Sequence, residues 1–271
     1  MKFSQFLKGL APILAVAMAA GVAGCDSSNI SINGEHGKKL ADLDMSGAAP
    51  NELAMFGPDE IQITQGDKLA ITVDGDPSAV DRLRFTLKDG TLGVLREGKV
   101  FSSDGKLAVV HVTMPAPREL TMAGSGKISA PAMAAGAKVT IVGSGRIDTQ
   151  SVSGDKLEVT LPGSGSFTAA GKVGKLDLTI LGSGSAEMGG VNVGNAKVTV
   201  MGSGDATFSS DGDVDATIMG SGTVTVKGRA RCKVSAMGSG KLVCEAGVTK
   251  SDGEDAGDAP KAPEPPTPPK P

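Results

Sequence analysis

Leu157-Glu158-Val159-Thr160-Leu161-Pro162-Gly163-Ser164-Gly165-Ser166-Phe167-Thr168-Ala169 is followed nineteen residues later by a second copy, Leu176-Asp177-Leu178-Thr179-Ile180-Leu181-Gly182-Ser183-Gly184-Ser185-Ala186. Apolar side chains take every second position, Leu157, Val159 and Leu161 before the glycines and Phe167 and Ala169 after them. A period of two is the signature of a strand with one face buried. The parity runs through Gly-Ser-Gly, so both glycines are expected inside and the serine outside. Glycine there allows a tight bend with no side chain pushed into a narrow core.

Gly-Ser-Gly recurs seven times, starting at Gly124, Gly143, Gly163, Gly182, Gly202, Gly220 and Gly238, at spacings of 18 to 20 residues. The surrounding positions keep step with it. Two, four and six residues before each copy, only Arg118 is not apolar. Three residues before each copy stand Thr121, Thr140, Thr160, Thr179, Thr199, Thr217 and Ser235, a hydroxyl every time. Five residues before stand Glu119, Lys138, Glu158, Asp177, Lys197, Asp215 and Lys233, and five of the six neighbouring pairs are opposite in sign. Opposite charges and hydroxyls in columns are what successive copies stacked about 4.8 Å apart require. The repeat is too short for a helix pair, so it predicts an all-β fold, a single-chain parallel β-helix or solenoid with one coil per Gly-Ser-Gly.

Upstream, the segment Glu60-Ile61-Gln62-Ile63-Thr64-Gln65-Gly66-Asp67 alternates as well, as do Ile71-Thr72-Val73-Asp74-Gly75-Asp76 and Leu87-Lys88-Asp89-Gly90-Thr91-Leu92. These read as first, irregular coils, with Asp89-Gly90 as a turn. Together with the serial Gly-Ser-Gly they resemble the putative auto-transporter adhesin, head GIN domain family, over about residues 50–248. The resemblance implies a β-helix of envelope-exposed bacterial proteins. It implies no catalytic residue, because the family has no established catalytic motif.

The two ends of the chain differ from its middle. Residues 1–24 carry Lys2 and Lys8, an apolar run from Leu10 to Ala20 and no acid, the pattern of a secretory signal peptide. They lead into Val22-Ala23-Gly24-Cys25, which resembles a bacterial lipobox. Cys25 is then the lipidated residue and the membrane contact; the competing reading is an ordinary signal peptide with a chance cysteine. Asp26 resembles a signal for retention in the inner membrane. Residues 25–45 read as a polar tether and 46–248 as the solenoid. Residues 249–271 hold seven of the fifteen prolines and the acids Asp252, Glu254, Asp255 and Asp258, an acidic, Pro-rich tail that cannot offset its ordering entropy. A solvated tail and a Pro-rich ligand for a partner are the two readings of it.

Composition narrows the function classes. Aromatics are 3% of the 271 residues, with no Trp or Tyr, and the formal charge is -3. A single-stranded nucleic acid finds neither stacking platforms nor a basic field here, so no nucleic-acid partner is expected. Gly124-Ser125-Gly126-Lys127 and Gly238-Ser239-Gly240-Lys241 lack the remaining residues of a phosphate loop. Gly202-Ser203-Gly204-Asp205 has no acidic counterpart in the other copies, so no calcium turn or other metal site is expected. His36 and His111 are the only histidines, leaving no evident base for a serine nucleophile. No catalytic residue and no cofactor are assigned.

Cys232 and Cys244 lie six residues either side of Gly238 in inward columns. An oxidising compartment permits a disulfide. A flattened coil brings the pair within bonding range and a wide bend leaves two buried thiols. Immediately before each Gly-Ser-Gly an outward apolar stripe runs through Ala123, Val142, Pro162, Leu181, Met201, Met219 and Met237. It is either a partner surface, for which methionine is well suited, or a stripe covered by neighbouring chain. The reading that results is a lipid-anchored, non-enzymatic adhesion, scaffold or binding module of the cell envelope, facing periplasm or surface. Its candidate surface is Leu181, Met201, Met219 and Met237 with Thr160, Thr179, Thr199 and Thr217, and its candidate partners are a glycan, a protein or a second copy. The alternative is a carbohydrate-active β-helix lyase or hydrolase, which needs converging carboxylates or an Arg/Lys base beside calcium.

Overall fold

A computed structural model describes residues 16–17, 31–32, 35–97, 105–245 and 248–251. Cys25, Asp26, most of the signal segment and the tail beyond Ser251 lie outside the described residues. In chain order the strands are β1 (Val16–Ala17), β2 (Ser31–Ile32), β3 (Glu35–His36), β4 (Glu52–Phe56), β5 (Glu60–Gln65), β6 (Ala70–Gly75), β7 (Leu83–Lys88), β8 (Thr91–Arg96) and β9 (Ala108–Met114). The repeats follow as β10 (Glu119–Gly124), β11 (Lys127–Ala130), β12 (Ala137–Gly143), β13 (Arg146–Thr149), β14 (Val152–Gly163), β15 (Ser166–Gly182), β16 (Ser185–Gly202), β17 (Asp205–Ser210), β18 (Asp213–Gly220), β19 (Thr223–Lys227), β20 (Arg231–Gly238), β21 (Lys241–Cys244) and β22 (Val248–Ser251). One helical turn, Pro77–Val80, starts on Asp76, whose carboxylate accepts the Ser78 backbone N–H.

Each repeat contributes one strand to a first parallel sheet, turns at Gly-Ser-Gly, and contributes a second strand to a second parallel sheet. The first sheet pairs β10, β12, β14, β15, β16, β18 and β20 in register, so that Gly124, Gly143, Gly163, Gly182, Gly202, Gly220 and Gly238 are successive partners. Between the sheets lies one continuous apolar core, in which Leu157, Val159, Leu161, Phe167, Leu176, Leu178 and Ile180 are all buried. Each such side chain contributes about 1.5–3 kcal/mol relative to exposure.

The corner shows why glycine is needed twice. At Gly182 φ is +125°, and a Cβ there would stand 2.5 Å from the Gly163 carbonyl oxygen of the coil below. That oxygen accepts the Ser183 N–H at 2.9 Å, so the two backbones must touch. The second glycine faces the core: a Cβ on Gly204 would meet Ile180 Cγ2 at 2.5 Å. The serine between the pair is exposed in all seven copies. The first glycines are half-buried in the central copies, against the inside position that parity predicts. Their positive φ swings the backbone onto the coil below instead of into the core.

At the far corner Val173 and Val193 are in register, as are the positions of Val152 and Val191, and all four side chains are buried. In the first 18-residue coil Ser210 takes the position of Val193 and is itself buried, and the 18-residue coils bend at Asp211-Gly212 and Gly228-Arg229. The coil is flat enough at this end for Cys232 and Cys244 to be joined as a disulfide with Cα atoms 6.6 Å apart.

Before the first Gly-Ser-Gly the spatial order departs from the chain order. β4 and β5 form a coil directly beneath β10 and β11. The chain then runs out through β6 and β7 and returns as β8 and β9, which insert beneath β4 and β5. β6 and β7 pair antiparallel with β9 and β8 and close the two sheets. Residues 35–45 pack on this cap, with Lys38 bridging Phe85 and with Leu40 and Leu43 against the core. At the other end β22 pairs with Arg231–Val234 of β20, carrying the strand pattern three residues past Val248.

Candidate functional site

The outward columns anticipated from the repeat are physical columns. Thr121, Thr140, Thr160, Thr179, Thr199, Thr217 and Ser235 are consecutive partners on the outer face of the first sheet. Thr160, Thr179 and Thr199 are half-buried, and Thr217 is exposed. Beside them Pro162, Leu181, Met201, Met219 and Met237 form a second in-register line. The stripe is unevenly exposed: Ala123 is buried, Val142 is 40% exposed, Pro162, Leu181 and Met201 are half-buried, and Met219 and Met237 reach 38% and 74%. Nothing in the described chain covers Met237.

Within the seven repeats the charged column is also in register, and its single mismatch there is resolved by neighbours. Glu158 and Asp177 are adjacent like charges. Lys156 lies 3.0 Å from each, and Lys175 lies 3.2 Å from Asp177. Hydrogen bonds to Asp177 and Glu158 raise the Lys156 pKa. Partial burial pushes the Asp177 carboxyl upward, but the Lys156 and Lys175 ammonium groups outweigh it and hold the pKa below the ordinary carboxylate value.

The outer face of the second sheet carries a shallow groove of about 460 Å³ in which Glu60, Gln62, Lys127, Ser129, Asp148 and Gln150 stand beside Ile63, Ala130 and Pro131. Lys127 stands between its two carboxylates, 3.9 Å from Glu60 and 4.0 Å from Asp148, and Arg146 is 3.7 Å from Asp148. Each acid faces a cation, which is the chemistry of ion pairing. His111 lies on the outer face at the cap, its Nε2 3.2 Å from Asp74. Among the described residues no group of three His, Cys, Asp or Glu could hold a metal ion. No helix among them is long and apolar enough to cross a membrane.

One polar cluster was not foreseen. Asp59 and Arg96 form an ion pair at 2% and 3% exposure. Arg96 Nε donates to Asp59 at 2.7 Å and its Nη1 to the Lys106 carbonyl at 2.9 Å, while the Ala108 N–H donates to the Asp59 carboxylate at 2.8 Å. Gly57-Pro58-Asp59 occupies the corner that Gly124-Ser125-Gly126 fills in the next coil, since Phe56 pairs with Ala123 and Glu60 with Lys127. Asp59 thus stands where a glycine would face the core. The signal in the sequence was that substitution, legible only once this coil is aligned with the repeats.

These features define a capped, single-chain parallel β-solenoid whose distinctive surface is a set of repeating outward columns. The chain belongs to the putative auto-transporter adhesin, head GIN domain family, whose profile matches residues 49–230. The fold is shared with a putative adhesin from Bacteroides fragilis at 21% identity and a TM-score of 0.60, covering 74% of this chain and 93% of that one. It is also shared with a putative lipid binding protein from Parabacteroides distasonis at 20% identity and a TM-score of 0.56, with the same coverage. A putative adhesin from Parabacteroides merdae gives 19% identity and a TM-score of 0.52, covering 74% and 92%. Among curated proteins none matches the chain.

Proposed function

We propose that this chain is a non-enzymatic binding module of the bacterial cell envelope, anchored by a lipid on Cys25, that engages a partner through its columnar first-sheet face. The observation that carries the reading is the register of the Thr column and the apolar stripe, in which Met219 and Met237 are exposed at 38% and 74%. A surface that repeats every coil, at about 4.8 Å, is matched to an extended or repetitive partner, a glycan chain or a protein strand. Exposed methionines adapt to such a partner with little penalty. Adhesin-like family membership and the names of two structural neighbours, adhesin and lipid binding protein, support binding over turnover.

The test is binding of the full chain to a glycan array and to immobilised envelope proteins, with Met201, Met219 and Met237 all replaced by Ser. The expected result is lost binding with an unchanged circular dichroism spectrum. Retained binding removes the stripe from the interface, and cleavage of any bound glycan overturns the non-enzymatic reading.

A further inference from the structure

The open end of the second sheet carries a self-complementary strand. Among the described strands β21 pairs only with β19, through Thr223–Val226 and Lys241–Cys244, so its other edge presents unpaired backbone groups. The last core layer is likewise less covered, since Leu242 and Cys244 are only partly buried, and on the outer face Val243 is 44% exposed. Among the described residues no further apolar layer follows. In β22, Thr249 and Ser251 fall in register with Cys232 and Val234, and Lys250 falls beside Lys233, so both the apolar and the alternating-charge patterns end there.

We propose that β21 is a self-recognition edge, pairing antiparallel with β21 of a second copy about Val243. The segment reads Lys241-Leu242-Val243-Cys244-Glu245. Antiparallel pairing centred on Val243 sets Lys241 opposite the partner's Glu245, and Glu245 opposite the partner's Lys241. It sets Leu242 opposite the partner's Cys244 on the inner side, extending the core across the junction, and Val243 against its own mate. Two opposite-charge cross-strand pairs follow from one two-fold axis. The edge is held ready: the disulfide ties Cys244 to Cys232, and the Glu245 N–H bonds the Val226 carbonyl at 3.0 Å. A fixed edge loses little freedom on pairing. β22 occupies the adjoining stretch of the first sheet, so the two copies join through the second sheet and splay apart on the first.

The experiment is sedimentation equilibrium of the full chain in density-matched detergent. The native chain is expected to form dimers. Lys241→Glu and Glu245→Lys, each of which places like charges opposite each other twice, are expected to weaken the dimer about tenfold or more. The double exchange is expected to restore it, and the Met201, Met219 and Met237 to Ser variant to leave it intact, which separates this proposal from the columnar binding face. A chain monomeric at every concentration, or dimers indifferent to both single changes, overturns the proposal. Dimers that appear only after removal of residues 252–271 assign the edge to the tail and overturn it as well.

Discussion

The two ends of the solenoid solve one problem in opposite ways. Any stack of parallel strands leaves an edge at each end, with unpaired backbone and an exposed apolar layer. At the N-terminal end the chain leaves its first coil, builds β6 and β7, and returns beneath itself, closing both sheets with antiparallel strands. A buried Asp59–Arg96 pair locks the corner where the returning strands meet the first coil. At the C-terminal end the repeat simply stops. One half-strand, β22, covers part of the first sheet, a disulfide ties the last coil together, and among the described strands β21 has no second partner. The closed end is specified by irregular sequence, and the open end retains the regularity of the repeat and with it the means to bind another edge.

Substitutions at the two ends should therefore differ in reach as well as in size. The largest effect is expected at the cap: Asp59→Ala strands the buried Arg96 guanidinium and should cost about 3–5 kcal/mol. Denaturant unfolding should register it as a lowered midpoint, since the pair ties the first coil to the strands that return beneath it. An intact midpoint would mean that the ion pair is not what closes this end.

Next is Gly182→Ala, in the middle of the stack. Its left-handed backbone alone costs about 1–3 kcal/mol in a residue with a Cβ, and the contact with the Gly163 carbonyl adds to that. Gly238→Ala, with φ of +111° and the same contact to Gly220, sits on the last coil. There the coil can loosen without disturbing its neighbours, so its thermal midpoint should move less. Equal shifts for both would deny the graded, nearest-neighbour stability that the stack implies.

Replacing Cys232 and Cys244 together by Ser should cost no more than about 2–3 kcal/mol. Amide exchange should rise between Arg231 and Glu245 while β10–β16 stay protected. Faster exchange spread over the central coils would mean that the two ends are coupled. The smallest effect concerns Asp177. Its pKa is depressed in the folded chain, so its contribution is present above the unfolded carboxylate value near 3.9 and is lost as pH falls through the folded value. Asp177→Asn should lower stability at neutral pH by under about 1 kcal/mol and flatten the acid limb of the stability curve. An unchanged acid limb would show that Lys156 and Lys175 do not favour the ionised form.

What could be read in advance follows the same division. From Glu119 to Gly238 the register was legible, because in a parallel stack residues one repeat apart become neighbours, but the first glycine of each copy, inside by parity, is half-buried in the central copies. The mismatch of Glu158 and Asp177 was visible as a flaw, but its remedy required seeing Lys156 reach across to the next coil. The path of the cap was not legible. Ile61, Ile71, Phe85 and Val110 alternate like any strand residues, and period two carries no information on which strand lies beneath which. Asp59 and Arg96, 37 positions apart, gave no local sign of meeting. The disulfide was left open for a related reason, because its geometry depends on how flat the coil is, and the short turn at Gly228-Arg229 decides that.

The stack in register is the claim on which both binding proposals depend, and spin labels on the exposed corner serines measure it directly. With one label at Ser125 and the second at Ser183, Ser203, Ser221 or Ser239 in turn, the distance should grow by about 4.8 Å for each coil. Distances that fail to rise from one copy to the next, or that bring Ser239 back towards Ser125 as a closed barrel would, contradict the solenoid.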